Sequence, residues 1–116
     1  LGLQLYWGSA GASIRLATPY HSQPLSVGWL FPPGVSGWMG LQDLSLGFDP
    51  GSAGKAPEVL PALEAFYAAL EDLPATAPVK PTWLRARHLP PPVVVAQRER
   101  LTALLERLVE RAGAGA

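Results

Sequence analysis

Residues 49–55, Asp-Pro-Gly-Ser-Ala-Gly-Lys, come closest to a known chemical motif. A glycine-rich turn between a strand and a helix can hold phosphate, because backbone N–H groups and a helix N-terminus attract anions. A P-loop, however, has a glycine five residues before its Gly-Lys pair and Ser or Thr after it. Asp49 and Ala56 occupy those positions, and an aspartate repels phosphate. We therefore predict that this segment is a structural loop.

Carboxylates and histidines are sparse in the first half of the chain. Asp43, Asp49 and His21 are the residues that a small metal-dependent hydrolase would use, and this alternative stays open. The two aspartates lie about 20 Å apart along one predicted strand, whereas paired catalytic carboxylates need ~5–10 Å. The competing interpretation pairs Asp43 with Arg15 across the sheet and lets Asp49 cap the following turn. His21 and His88 are predicted loop residues, and we expect no metal or cofactor.

Basic side chains offer another alternative, the binding of phosphate or nucleic acid. The cations that would do so are Arg15, Lys55, Arg85 and Arg87. Trp83 lies close to the last two and could stack on a base. Against this, nine Lys and Arg balance nine Asp and Glu, so the net charge is zero. Nucleic-acid-binding domains usually carry a basic surplus.

The elements that must position these residues differ between the two halves. Residues 1–54 contain only three charged residues, Arg15, Asp43 and Asp49, and seven of the ten aromatic residues. A segment this apolar must be shielded from water on at least one side, and we predict that the charged second half packs against it.

Period-two alternation predicts four strands in the first half, separated by turns rich in Gly, Pro and Ser. The predicted strands cover 2–7, 13–18, 25–31 and 41–49. In the third of them, Leu25, Val27, Trp29 and Phe31 share the apolar face, while Ser26, Gly28 and Leu30 point to the other. We predict a four-stranded antiparallel meander with one buried face.

Apolar residues recur at helical spacing over about 58–73 and about 94–112. A proline-rich connector, 74–92, joins these helices, and its proline-free part 82–88 has the length of a short edge strand. Residues 113–116 are a predicted flexible tail. The predicted architecture is a single α+β domain over 1–112, with both helices on one face of the sheet.

The other face carries small, weakly charged side chains, which favour burial against a partner. We predict a non-catalytic binding or assembly module that pairs with a second copy, or with another chain or domain, through this face. The candidate contact residues are Tyr6, Arg15, Ser26, Gly28, Leu30 and Asp43, together with the loop tryptophans Trp38 and Trp83.

The composition bears on source and location. The absence of Cys fits a reducing, cytoplasmic setting and leaves no thiol for catalysis. The absence of Asn and the preference for Arg over Lys indicate a GC-rich or thermophilic bacterial source. No apolar run reaches the ~20 residues of a membrane span, and no leader pattern is present.

Overall fold

The computed structural model describes residues 2–7, 11–18, 21–31, 43–54, 56–79 and 83–113. The strands are β1 Gly2–Trp7, β2 Ala12–Thr18, β3 His21–Leu30, β4 Leu44–Phe48, β5 Ala77–Pro78 and β6 Arg85–Leu89. The helices are α1 Pro50–Ala53, α2 Leu60–Glu71, α3 Pro91–Ala96 and α4 Arg98–Gly113.

The six strands form one antiparallel sheet in the order β1-β2-β3-β4-β6-β5. This confirms the α+β class and the four-stranded meander. The fifth predicted strand exists as β6, but it lies inside the sheet rather than at its edge. The two-residue strand β5 pairs with the outer side of β6 and takes the edge position.

The helices differ in detail from the prediction. The segment predicted as one helix over 94–112 is two helices, because the chain breaks at Gln97, where φ is −110° and ψ is 18°. Pro91 and Pro92 lie in the first turn of α3, where a missing N–H costs nothing. The loop 49–55 contains the one-turn helix α1, and the predicted tail lies beyond the described residues apart from Gly113.

Helices α2 and α4 pack on one side of the sheet, which we call the helical face. Its core joins the strands to α2 and α4 through fully buried leucines, and α2 contacts β4 and β6 while α4 contacts α2 and β2. The fully buried leucines of this core are Leu16, Leu46, Leu63, Leu70, Leu89 and Leu108.

A β-bulge in β3 reverses the predicted faces of its second half. Arg15 pairs with Ser26 and Ile14 pairs with Gly28, so Val27 is an extra residue on β3. An extra residue shifts the period-two alternation by one position. Leu25 and Val27 therefore join the helical core, but Trp29 and Phe31 turn to the opposite, open face. The prediction that all four share one face was wrong.

The same shift corrects two candidate contact residues. Gly28 pairs with Leu46 and Leu30 pairs with Leu44, both of which contribute to the helical core, so Gly28 and Leu30 belong to the helical face. The open face is not bare either. Trp29, Phe31 and Ala86 are buried there with Val79 and Leu84, two residues of the proline-rich connector. The connector thus covers part of the face predicted to lack a cover.

Candidate functional site

Three large apolar side chains are exposed together at one end of the helical face. They are Leu5, Trp7 and Leu30, exposed by 54 %, 78 % and 41 %. Trp7 and Leu30 both flank the buried Ala12, since Trp7 pairs with Ala12 on one side and Leu30 pairs with it on the other. Leu5 lies two residues from Trp7 on the same face of β1. We call these three residues the apolar patch.

The patch exists because the helices cover only part of this face. Helices α2 and α4 cover Leu16, Leu46 and Leu89. They do not cover the part of the sheet where the exposed Leu5, Trp7 and Leu30 lie. In the predicted strand 2–7, alternation places Leu3, Leu5 and Trp7 on one side, in phase with the apolar face, but it cannot show how far the helices reach. Only the position of Trp7 near the end of a strand hinted at exposure. Contiguous exposed apolar area of this kind is characteristic of interaction sites.

Strand β1 also leaves a sheet edge open in the described part of the chain. It pairs with β2 through six consecutive residues without a bulge, and its sequence, GLQLYW, contains no charge and no proline. Proteins usually protect an edge with charges, proline, bulges or very short strands. The opposite edge has such protection, because β5 is two residues long and contains Pro78.

A groove lies between the start of β1 and helix α4. Its volume is about 480 Å³, and its lining residues are Leu3, Thr102, Leu105, Glu106, Val109 and Glu110. Leu3, Leu105 and Val109 are half-buried and form its apolar floor, while the two glutamates are exposed on α4. The groove adjoins the open edge of β1, because Leu3 belongs to that strand.

The predicted contact residues on the open face form a polar cluster. The Arg15 guanidinium lies 4.1 Å from the centre of the Tyr6 ring, and its Nε donates to Ser13 Oγ at 3.1 Å. The Tyr6 hydroxyl donates to Gln4 Oε1 at 2.8 Å. Ser26, half-buried, pairs with Arg15 across β2 and β3. These contacts form a polar surface around one arginine that stacks on an aromatic ring.

Asp43 contacts His88 rather than Arg15, to which the sequence assigned it. His88 Nε2 lies 3.2 Å from Asp43 Oδ2, and since a carboxylate only accepts, Nε2 is the donor. His88 is in strand β6 and not in a loop, with Ser45 directly opposite on β4. Ser45 is 1 % exposed, and among the described residues its Oγ has no hydrogen-bond partner.

The Ser45, His88 and Asp43 side chains do not form a working nucleophilic triad. A serine nucleophile must reach substrate, and the Ser45 hydroxyl is inaccessible to water. Asp49 caps α1, as expected, by accepting from Gly51 N at 2.9 Å and Ser52 Oγ at 3.3 Å. Among the described residues, no three His, Asp or Glu side chains converge as metal ligands.

Two of the candidate anion-binding arginines make structural contacts. The Arg85 guanidinium lies 5.0 Å from the centre of the Tyr67 ring and 5.6 Å from that of Phe48. Arg87 donates from Nε to Thr76 Oγ1 at 3.2 Å and from Nη2 to the Thr76 carbonyl oxygen at 2.9 Å. Two N–H groups of Arg87 are therefore engaged in hydrogen bonds to the segment that follows α2.

The remaining candidates lie partly outside the described residues. Lys55 and Trp38 are not among them, and for His21 only the backbone, at the start of β3, is described. Trp83 is 47 % exposed just before β6, next to the buried Leu84.

The class that these observations define is an α+β protein with an antiparallel sheet and helices on one face. No family model, curated protein or solved structure matches the chain. Within the described ranges, no helix has both the length and the apolar character to cross a membrane.

Proposed function

We propose that the chain is a non-catalytic assembly module that associates with a second copy of itself. The observation that carries the proposal is the apolar patch, in which Leu5 and Trp7 on β1 and Leu30 on β3 are exposed on the same face of the sheet. Covering these side chains removes apolar surface from water, at about 25 cal/mol per Å². The surface differs from the open face expected from the sequence, but the kind of function is the same.

The charge balance and the contacts of the other candidate residues favour self-association over catalysis or phosphate binding. A net charge of zero means that two copies do not repel each other at long range. A C2 dimer is the commonest oligomer because one self-complementary patch suffices. Phosphate binding has less support, since Arg87 is engaged by Thr76 and Arg85 lies against two aromatic rings.

The two sheet faces are distinguished by one charge substitution on each. Leu5→Glu places a carboxylate in the apolar patch, and Arg15→Glu reverses the charge of the polar cluster on the open face. We expect light scattering at two protein concentrations to show a dimer for the parent chain and for Arg15→Glu, and a monomer for Leu5→Glu. If only Arg15→Glu dissociates, the open face is the interface. A parent chain that is monomeric at both concentrations refutes self-association.

A further inference from the structure

We propose that two copies join through antiparallel pairing of their β1 strands, and that Trp7 of each copy inserts into the groove between β1 and α4 of the other. This rests on the proposed function and specifies its partner contact. The unprotected edge supplies the first argument. Of the described strands only β2 pairs with β1, so the N–H and C=O groups on the outer side of β1 are a template for another strand. Strand β1 also carries no charge to oppose its own copy.

Symmetry restricts the register of such a pair. In an antiparallel pair related by a two-fold axis perpendicular to the sheet, directly opposed residues lie on the same face. With the axis at Leu5, Leu5 faces the partner's Leu5 and Leu3 faces the partner's Trp7. Both pairs then lie on the helical face. Gln4 faces the partner's Tyr6 on the open face.

This register brings Trp7, the most exposed of the tryptophans that the structure describes, to the groove. Trp7 is 78 % exposed, and its counterpart Leu3 is the strand residue that lines the groove with Leu105 and Val109. Glu106 and Glu110, also lining the groove, carry carboxylates that can accept from an indole N–H. The groove therefore offers both parts of a tryptophan site, an apolar floor and a polar acceptor.

The area is adequate for a specific dimer. A tryptophan buries ~150–250 Å², so two of them and the groove walls that cover them remove about 600–1,000 Å². The paired strands and the two Leu5 side chains need add only a few hundred Å² to reach the ~1,200 Å² at which specific interfaces begin. A register centred on Gln4 would set Leu3 against the partner's Leu5 and move Trp7 away from the partner's Leu3, the strand residue that lines the groove.

Cysteine substitution measures the register directly, because the chain contains no cysteine. In Leu5→Cys the two thiols face each other across the axis, with Cα atoms ~4.5–5.5 Å apart, within disulfide range. In the control Gln4→Cys the two cysteines lie diagonally across the strand pair, with Cα atoms ~7–8 Å apart. That distance is too long for a disulfide. We expect mild oxidation to link Leu5→Cys into a covalent dimer on a non-reducing gel and to leave Gln4→Cys unlinked.

The dimerisation of Trp7→Ala, measured by sedimentation, tests whether Trp7 occupies the groove of the partner copy. Loss of a buried aromatic anchor should weaken dimerisation roughly thirtyfold or more, and Leu105→Ala should weaken it in the same direction by removing part of the groove floor. Val95→Ala is the matched control, since Val95 is an exposed apolar residue on α3, outside the groove and β1. Far-ultraviolet circular dichroism verifies that each variant is folded.

The outcomes separate this contact from the proposed function. Linkage of Leu5→Cys alone, with weakened Trp7→Ala and unchanged Val95→Ala, supports the strand pairing. A parent dimer in which neither cysteine variant links, or only Gln4→Cys links, overturns this register and leaves the assembly function standing. A parent chain that sediments as a monomer overturns both.

Discussion

The close approach of strands β4 and β6 depends on a single residue, Gly47. Gly47 pairs with Ala86, and a Cβ built at Gly47 would lie 2.1 Å from the Arg85 carbonyl oxygen and 2.4 Å from the Ala86 Cα. Backbone atoms in a paired strand cannot move aside as a flexible side chain can. Only glycine therefore allows these two strands to approach so closely on the open face.

Gly47→Ala should destabilise the fold by about 1–3 kcal/mol or more, because the added methyl group forces β4 and β6 apart. Urea unfolding measures this as a lower free energy of unfolding. The control is Gly54→Ala, where φ is −61° and the nearest atom to a new Cβ, the Pro50 carbonyl oxygen, is at 3.4 Å. That variant should be neutral or more stable by up to ~1 kcal/mol. Equal losses for both would contradict the packing argument.

Residue types alone could not reveal the contact of Asp43. Asp43 and His88 are 45 positions apart in the chain, and the pairing of β4 with β6 brings them together. The strand β6 was recognisable only as a short proline-free segment, so its neighbours could not be inferred. Asp49 was predictable as a cap because its partners, Gly51 and Ser52, are close in sequence.

At the scale of elements, Arg87 and Thr76 connect β6 to the end of α2. Thr76 Oγ1 lies within hydrogen-bond distance of the Leu70 and Leu73 carbonyls, and Arg87 donates to both Thr76 Oγ1 and the Thr76 carbonyl oxygen. Carbonyls at a helix C-terminus lack intrahelical partners. This connection therefore satisfies the end of α2 and fixes it against the sheet.

Arg87→Gln should lower the free energy of unfolding by about 1–3 kcal/mol, since it removes charge-assisted, half-buried hydrogen bonds. Arg98→Gln, an exposed substitution at the start of α4, should change it by no more than ~0.5 kcal/mol. Thermal unfolding followed by circular dichroism compares the two. If Arg87→Gln is as harmless as Arg98→Gln, the arginine is free to bind an anion, and the phosphate alternative regains support.

The positions of the strands and helices were largely predictable from the sequence. The side of the sheet on which individual strand residues lie was not. Alternation and helical spacing depend on local sequence, so four strands and both main helices lie close to their predicted positions. The bulge at Val27 depends on how β3 aligns with β2, a long-range property. One extra residue was enough to exchange the faces of Trp29 and Leu30, and with them the expected interaction surface.

At the scale of the whole molecule, apolar assembly and anion binding respond differently to salt. The chain has nine cationic and nine acidic side chains, and the apolar patch carries no charge. Dimerisation through the patch should therefore change less than about threefold in dissociation constant between 50 and 500 mM NaCl, because screening acts only on charges. Sedimentation at several protein concentrations in each salt measures it.

Binding to nucleic acid would show the opposite behaviour. Three contacts of Arg15, Lys55 and Arg85 with the phosphates of a single strand would lose roughly 100-fold in affinity over the same tenfold rise in salt. We expect fluorescence anisotropy of a labelled single-stranded oligonucleotide to stay unchanged on adding the protein at 50 mM NaCl. Saturable binding at low salt that disappears at high salt, together with salt-sensitive dimerisation, would show that the cations rather than the apolar patch determine what this molecule binds.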